Sequence, residues 1–270
     1  MNTEKLYPQL LEFDVWQDYL DLGWYLFPIN PWNKQPYETE IFELPEEEAR
    51  RVREVAEEEA DPTLDAEARE KVRHRDQKYG HGFLDATKRM GTPDEVGTLA
   101  WLIKCAIQKG GHGEDQGKKR PGYPQIGCAC GPSGLFVIDL DVEADFKGHD
   151  GDAPSFTALS ALEEQYGELP ATLTVSTPRN GQHLYFRGTG KSTTSVLGTG
   201  IDTRSEGGYV ILPPSIGSVK DKKKKKRHIR YGQYAPVSGL TLEEVGIAPL
   251  PDWALSLTEK FTTGHFFLSK

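Results

Sequence analysis

Cysteine is scarce in this 270-residue chain, which has only Cys105, Cys128 and Cys130. Three thiols cannot close a disulfide framework, and their scarcity suits a reducing cytoplasm. Cys128-Ala129-Cys130 has only His112 as a nearby partner, too little for a zinc site, and reads as strand packing. No apolar run approaches the roughly 20 residues a membrane helix needs. The opening MNTEKLYPQLLEFD lacks the basic-then-apolar order of a secretory signal. The expectation is a cytoplasmic protein, in a bacterium or phage-infected cell, with no membrane contact.

Positive charge is also lacking overall, with a net of −9. Its distribution matters more than its sum. Residues 38–70 hold 14 Asp/Glu against 4 Arg, a net of −10, so the remainder is about +1. Residues 220–230 hold eight Lys/Arg against one acid, Asp221. Tight, purely electrostatic binding of nucleic acid by the whole surface is therefore excluded, but a locally basic groove is not. The basic run reads either as a solvated loop or as a grip on a phosphate backbone, with Tyr231 and Tyr234 near enough in sequence to stack on bases.

Hydrophobic residues make up 37% of the chain, enough to build a buried core over this length. Residues 12–22 space Trp16, Tyr19 and Leu20 along one helical face, with Gly23 as the stop. WYLFPI follows as a buried strand. Residues 38–80 read as an exposed acidic helical insertion with Glu46–Arg50 and Glu47–Arg51 pairs. A second amphipathic helix is expected over 94–108 and a polar glycine-rich loop over 109–121. GLFVIDLD reads as a buried strand ending in acids, and 155–166 as a helix ended by Gly167. TLTVST and HLYF flank a turn at Asn180-Gly181, so they read as a hairpin. GGYVILPPS is a strand stopped by Pro213-Pro214, and RHIRYGQYAPV a short strand pair. Helices and strands mix without a βαβ period, so the expected class is α+β.

Asp139 and Asp141 carry the first chemical signal. Alternate strand residues share a face, so both carboxylates leave the same side of the strand. Adjacent carboxylates repel, and a hard divalent ion removes the conflict. A solvated strand end explains a bare D-x-D equally well. His183 after the Asn-Gly turn reads either as structural or as facing that acid pair. Asp202 reads either as a turn residue or as the third carboxylate of a two-metal site. Residues 188–193, GTGKST, resemble the end of a phosphate-binding P-loop. The first glycine of that motif would fall at Tyr185, and the residues that follow make a poor helix start.

Four ordered blocks carry a resemblance. Gly23-Trp24, Phe27-Pro28 and Lys34-Gln35-Pro36 form the first. Ile126-Gly127, Gly131, Ser133-Gly134-Leu135, Val137, Asp139 and Asp141 form the second. Thr177-Pro178, Gly181, His183 and Tyr185-Phe186 form the third. Gly200, Asp202, Arg204, Gly207-Gly208-Tyr209 and Pro213-Pro214-Ser215 form the fourth. Together they resemble the bifunctional primase-polymerase domain of phage and plasmid replication proteins, in the archaeo-eukaryotic primase superfamily. The resemblance implies an archaeo-eukaryotic primase fold, in which an RRM-like catalytic sheet packs with a smaller α/β module and flanking helices. It implies a catalytic domain over 1–250, with an acidic insertion at 38–80 and a basic loop at 218–230. Residues 251–270 would be a tail or a linker to a downstream module, since the chain stops roughly 50 residues after the last motif.

The resemblance also implies roles. Asp139, Asp141 and Asp202 would be catalytic and hold two Mg²⁺ or Mn²⁺ ions. His183 would contact the triphosphate and Arg204 a phosphate or the sugar side of the nucleotide, while Arg179 and Lys34 would contact the nucleotide or template. The activity would be template-directed nucleotidyl transfer by a DNA polymerase, with priming left open because some relatives need a further helical module for it. Partners would be single-stranded DNA template and primer, dNTPs or rNTPs, and a helicase module or replisome proteins. The longer-than-expected insertion and the lack of a zinc element are departures. A non-catalytic single-strand-binding module and a metal-dependent nuclease are the alternatives.

Overall fold

The structure, a computed structural model, describes residues 14–29, 34, 62–63, 113–115, 118–120, 125–143, 150–220 and 229–262. The expected helix at 94–108, residues Cys105 and His112, and the acidic insertion apart from Pro62 and Thr63 lie outside them. The chain divides into two compact units, residues 1–127 and 128–270.

In the first unit, helix α1 (Asp14–Asp21) ends as expected at Gly23, whose φ of 76° is left-handed. The Gly23 amide donates to the Leu20 carbonyl at 2.8 Å. The Tyr19 and Trp24 rings then stack, 5.2 Å apart, and turn the chain into strand β1 (Tyr25–Ile29). Trp24, Leu26, Phe27 and Ile29 are buried. The polar loop at 109–121 contains a short antiparallel pair, β2 (Gly113–Asp115) with β3 (Lys118–Arg120). Strand β4 (Gln125–Ala129) begins in this unit. A side chain at Gly127 would strike the Phe27 ring at 2.7 Å, so the Ile126-Gly127 motif keeps this contact close.

The second unit is built on an antiparallel sheet. Its strands are β5 (Leu135–Leu140), β6 (Thr174–Ser176), β7 (Gln182–Arg187), β8 (Thr193–Gly198) and β9 (Ile201–Arg204), with β13 (Ala235–Pro236) at one edge. They run in the order β13-β6-β7-β5-β9-β8, and β14 (Ala248–Pro249) joins β7 in parallel. Helix α2 (Pro154–Tyr166) lies on one face. Pro154 opens it, where a missing amide costs nothing, and Gly167 at φ 103° closes it. Phe136, Ile138, Leu140, Phe186, Leu197 and Ile201 form the core with Leu159, and Phe156 and Leu162 pack against them. Tyr166 instead stays 42% exposed and stacks on Trp253.

Strand alternation decides what the other face carries. With 136, 138 and 140 turned to the core, 137 and 139 must point away from it, and 141 follows them. The same logic on β7 puts Phe186 inward and His183 and Tyr185 outward. On β9 it puts Ile201 inward and Asp202 and Arg204 outward. The polar residues therefore collect on one face of the sheet.

The turn between β6 and β7 matches its motif. Asn180 takes φ 66°, and the Thr177 and Gly181 backbones are hydrogen-bonded across it. GTGKST leads into strand β8 rather than a helix, and the Gly190 amide donates to Ser205 Oγ, so no phosphate cradle forms. Strand β10 (Tyr209–Ile211) ends before a cis Pro213–Pro214 bond. Strands β11 (Ile216–Lys220) and β12 (Ile229–Gln233) pair in register, so both ends of the expected 218–230 loop are strand, and residues 221–228 lie outside the described set. After Pro251, helix α4 (Asp252–Thr262) follows the short α3 (Leu242–Val245). Ala254 and Thr258 of α4 are fully buried, so the segment read as a tail starts as packed structure.

Candidate active site

Three adjacent strands place the motif residues side by side. In the β5–β9 ladder Asp139 is the register partner of Asp202, and in the β5–β7 ladder it is the partner of His183. His183, Asp139 and Asp202 thus form one row across β7, β5 and β9. Tyr185, Val137 and Arg204 form the next row on the same face. Asp141 follows the end of β5. Its amide donates to the Gly200 carbonyl at 2.9 Å, and its own carbonyl accepts from Ser155 Oγ at 2.8 Å. The backbone is fixed on both sides while the residue as a whole stays exposed.

The two facing carboxylates share one guanidinium. Arg204 Nη2 donates to Asp202 Oδ2 at 2.8 Å and lies 3.6 Å from Asp139 Oδ2. The second oxygen of each acid is also engaged. Asp202 Oδ1 accepts from the Ser195 amide at 3.0 Å, and Asp139 Oδ1 lies 3.5 Å from His183 Nε2. Ser195 reaches Asp202 because β8 is irregular there. The β8–β9 register shifts between Thr193 and Gly198, and Ser195 sits at φ 53°.

Negative charge accumulates at Asp141. Partial burial, then the charges of Asp139 and Asp202, raise its carboxyl above the ordinary 3.8, and Arg179 and Arg204 oppose the shift. Tyr234 is buried beside this cluster, 3% exposed, its ring 5.8 Å from that of His183. Burial and then the Asp139 charge push its phenol up, while Arg179 lowers it. Tyr234 was a base-stacking candidate in the sequence; in the structure it packs against His183. Arg179, in the β6–β7 turn, is half-buried, and its Nε is buried with no hydrogen-bond partner.

The structure therefore brings Asp139, Asp202, His183 and Arg204 into direct contact, with Asp141 and Arg179 in electrostatic range. Lys34, at φ 62°, belongs to the first unit. Sequence reasoning missed Ser195 altogether. Its only trace was Ser192-Thr193-Thr194-Ser195, the poor helix start after the glycines, and nothing there marked an amide aimed at Asp202.

Among the described residues, no three His, Cys, Asp or Glu side chains are arranged to hold a metal ion as they stand. The donor set nevertheless fits a hard cation. Three carboxylates would supply oxygen ligands, and Asp141 is raised by burial and then by the Asp139 and Asp202 charges, which a divalent ion would offset. Arg204 now meets part of that demand. Cys128 and Cys130 are buried, and the Cys130 thiol is pushed well up by burial, so neither is poised as a thiolate ligand.

The sheet thus carries acids, a histidine and an arginine side by side on one face. The chain belongs to the family described as bifunctional DNA primase/polymerase, N-terminal, which matches residues 16–253. Membership makes it an α+β enzyme domain of DNA primase and polymerase chemistry in replication. A search of curated proteins finds no match to the chain. No helix among the described residues is long and apolar enough to cross a membrane.

Proposed function

We propose that this chain extends DNA on a single-stranded template by a two-metal mechanism, as one catalytic domain over residues 1–250. Asp139, Asp141 and Asp202 would hold two Mg²⁺ or Mn²⁺ ions. When bound, such ions neutralise triphosphate charge and acidify the primer 3′-hydroxyl. The observation that carries this reading is the row His183–Asp139–Asp202 on the face of the sheet opposite helix α2.

The primer 3′-hydroxyl gives up its proton to solvent as its oxygen attacks the α-phosphorus of the incoming nucleotide, a P–O bond forms, and the bond to the pyrophosphate leaving group breaks. His183 donates to a triphosphate oxygen, its ring held by Tyr234 and Tyr185. Arg204 and Arg179 complement the phosphate charge, and the buried, unpartnered Arg179 Nε supports such a role. Lys34 would contact the nucleotide or template. Template, primer and dNTPs or rNTPs are the substrates, with a helicase module or replisome proteins as partners. Phage or plasmid replication in a bacterial cytoplasm is the setting this reading fits.

Labelled primer–template incubated with Mg²⁺, with and without dNTPs, tests the reading. Longer products are expected only with dNTPs, and Asp139→Ala with Asp141→Ala should abolish them while the circular dichroism spectrum is kept. Shorter products would make the protein a nuclease. Metal-independent binding without any change in length would make it a binding module.

A further inference from the structure

We propose that Arg204 is a built-in counter-ion which holds Asp139 and Asp202 together until a divalent cation replaces it, freeing the guanidinium for the nucleotide phosphates. The inference rests on the metal reading above and deepens it. It starts from one geometric fact: a single nitrogen, Arg204 Nη2, serves Oδ2 of both acids, at 2.8 and 3.6 Å.

Like charges directly opposite on adjacent antiparallel strands destabilise the pair. Here the facing acids are tolerated because a cation stands between them. A metal ion bound by the same two oxygens would compete with Arg204 for them, so one charge must yield to the other. The contacts are unequal. The 2.8 Å hydrogen bond to Asp202 is a strong charge-assisted one, and the 3.6 Å approach to Asp139 is looser. Asp139 is therefore the acid that Arg204 gives up first.

The arginine is also placed to leave. Its side chain is 31% exposed, against 12% and 13% for the two acids, so it reaches them from the open side. Asp202 does not collapse when it goes, because the Ser195 amide still holds Oδ1 at 3.0 Å. His183 Nε2 lies 3.5 Å from Asp139 Oδ1, a looser neighbour. Asp202 keeps its orientation while the counter-ion is exchanged, and Asp139 is free to turn towards the incoming cation.

The test follows Mn²⁺ binding by calorimetry and by melting temperature, without substrate. Without metal, Arg204→Gln should melt below wild type, because the facing acids lose their cation, and Mn²⁺ should close the gap. Its Mn²⁺ Kd should be tighter by about fivefold, the scale of removing one partly exposed ion pair. In extension assays its KM for dNTPs should rise. If Arg204→Gln does not fold, Arg204→Lys must still bind Mn²⁺ more tightly than wild type, because lysine's point charge bridges two acids less well than a guanidinium. Equal or weaker Mn²⁺ affinity in the folded variant overturns the exchange and leaves the metal reading standing. No Mn²⁺ binding by wild type at all removes the metal reading, and this proposal with it.

Discussion

Asp139 and Asp202 face each other across the β5–β9 ladder, two carboxylates in register on neighbouring strands. A fold has no structural need for such a pair, and apolar residues would serve the sheet better. Replacing Asp202 by asparagine keeps its size and an acceptor for the Ser195 amide but removes the charge. Extension should fall by at least about 100-fold, the loss typical when one electrostatic element of an active site is removed. The melting temperature should not fall in parallel. Primer-extension rates beside thermal melts check this, and near-normal extension would remove Asp202 from the site.

Asp141 gives a pH-dependent prediction. Its folded-state carboxyl is raised, chiefly by partial burial and then by Asp139 and Asp202. The folded protein therefore holds this proton more tightly than the unfolded chain does. That contribution to stability is complete below the ordinary 3.8 and is lost as pH rises through the raised value. Asp141→Asn cannot ionise. In metal-free buffer it should melt above wild type at pH 7, with the difference shrinking as pH falls towards 4. Added Mg²⁺ should narrow the difference at pH 7. Thermal melts across that pH range decide it, and a variant less stable than wild type at pH 7 would contradict the charge crowding.

Much of this arrangement was legible before any coordinates. An apolar run with a D-x-D ending gave β5 and its two same-face acids, because a strand has only two faces. Asn180-Gly181 gave the β6–β7 turn, because only a few residue types accept its left-handed backbone. The pairing of Asp139 with Asp202 was not legible, since it depends on which strands become neighbours over a separation of some sixty residues. The Ser195 contact was hidden for a related reason. It needs a register slip in β8, and a slip leaves no periodic signature. Arg204 was read as a phosphate ligand, and nothing local showed that it also bridges the acids.

His183 should divide binding from chemistry. It is 6% exposed, lies beside Asp139 Oδ1, and packs against Tyr234. If it grips the triphosphate, His183→Ala should raise KM for dNTPs by roughly tenfold, the worth of one charge-assisted hydrogen bond. The fall in kcat should be smaller. His183→Asn, which keeps a donor, should recover part of the KM. Steady-state kinetics at saturating primer–template measure this, and an unchanged KM with a lowered melting temperature would make the histidine structural.

The β11–β12 hairpin offers the last prediction. Gly217 and Gly232 are direct register partners, so together they leave a gap in the hairpin surface. Pro178 fills it from the neighbouring turn. A Cβ on Gly217 would meet Pro178 Cγ at 2.7 Å, and one on Gly232 would meet Pro178 Cα at 2.9 Å. The first contact is with a ring edge and the second with backbone, which cannot move alone. Gly232→Ala should therefore cost about 1–3 kcal/mol, as overpacking does, and Gly217→Ala somewhat less. Both press on the residue before Arg179, so the KM for dNTPs should rise with Gly232→Ala even at temperatures where it stays folded. Because the two share one partner, the double variant should cost less than the sum of the singles. Urea melts of the three variants settle the energetics. Additive costs with unchanged KM would mean that the hairpin is packing alone, with no hold on the Arg179 turn.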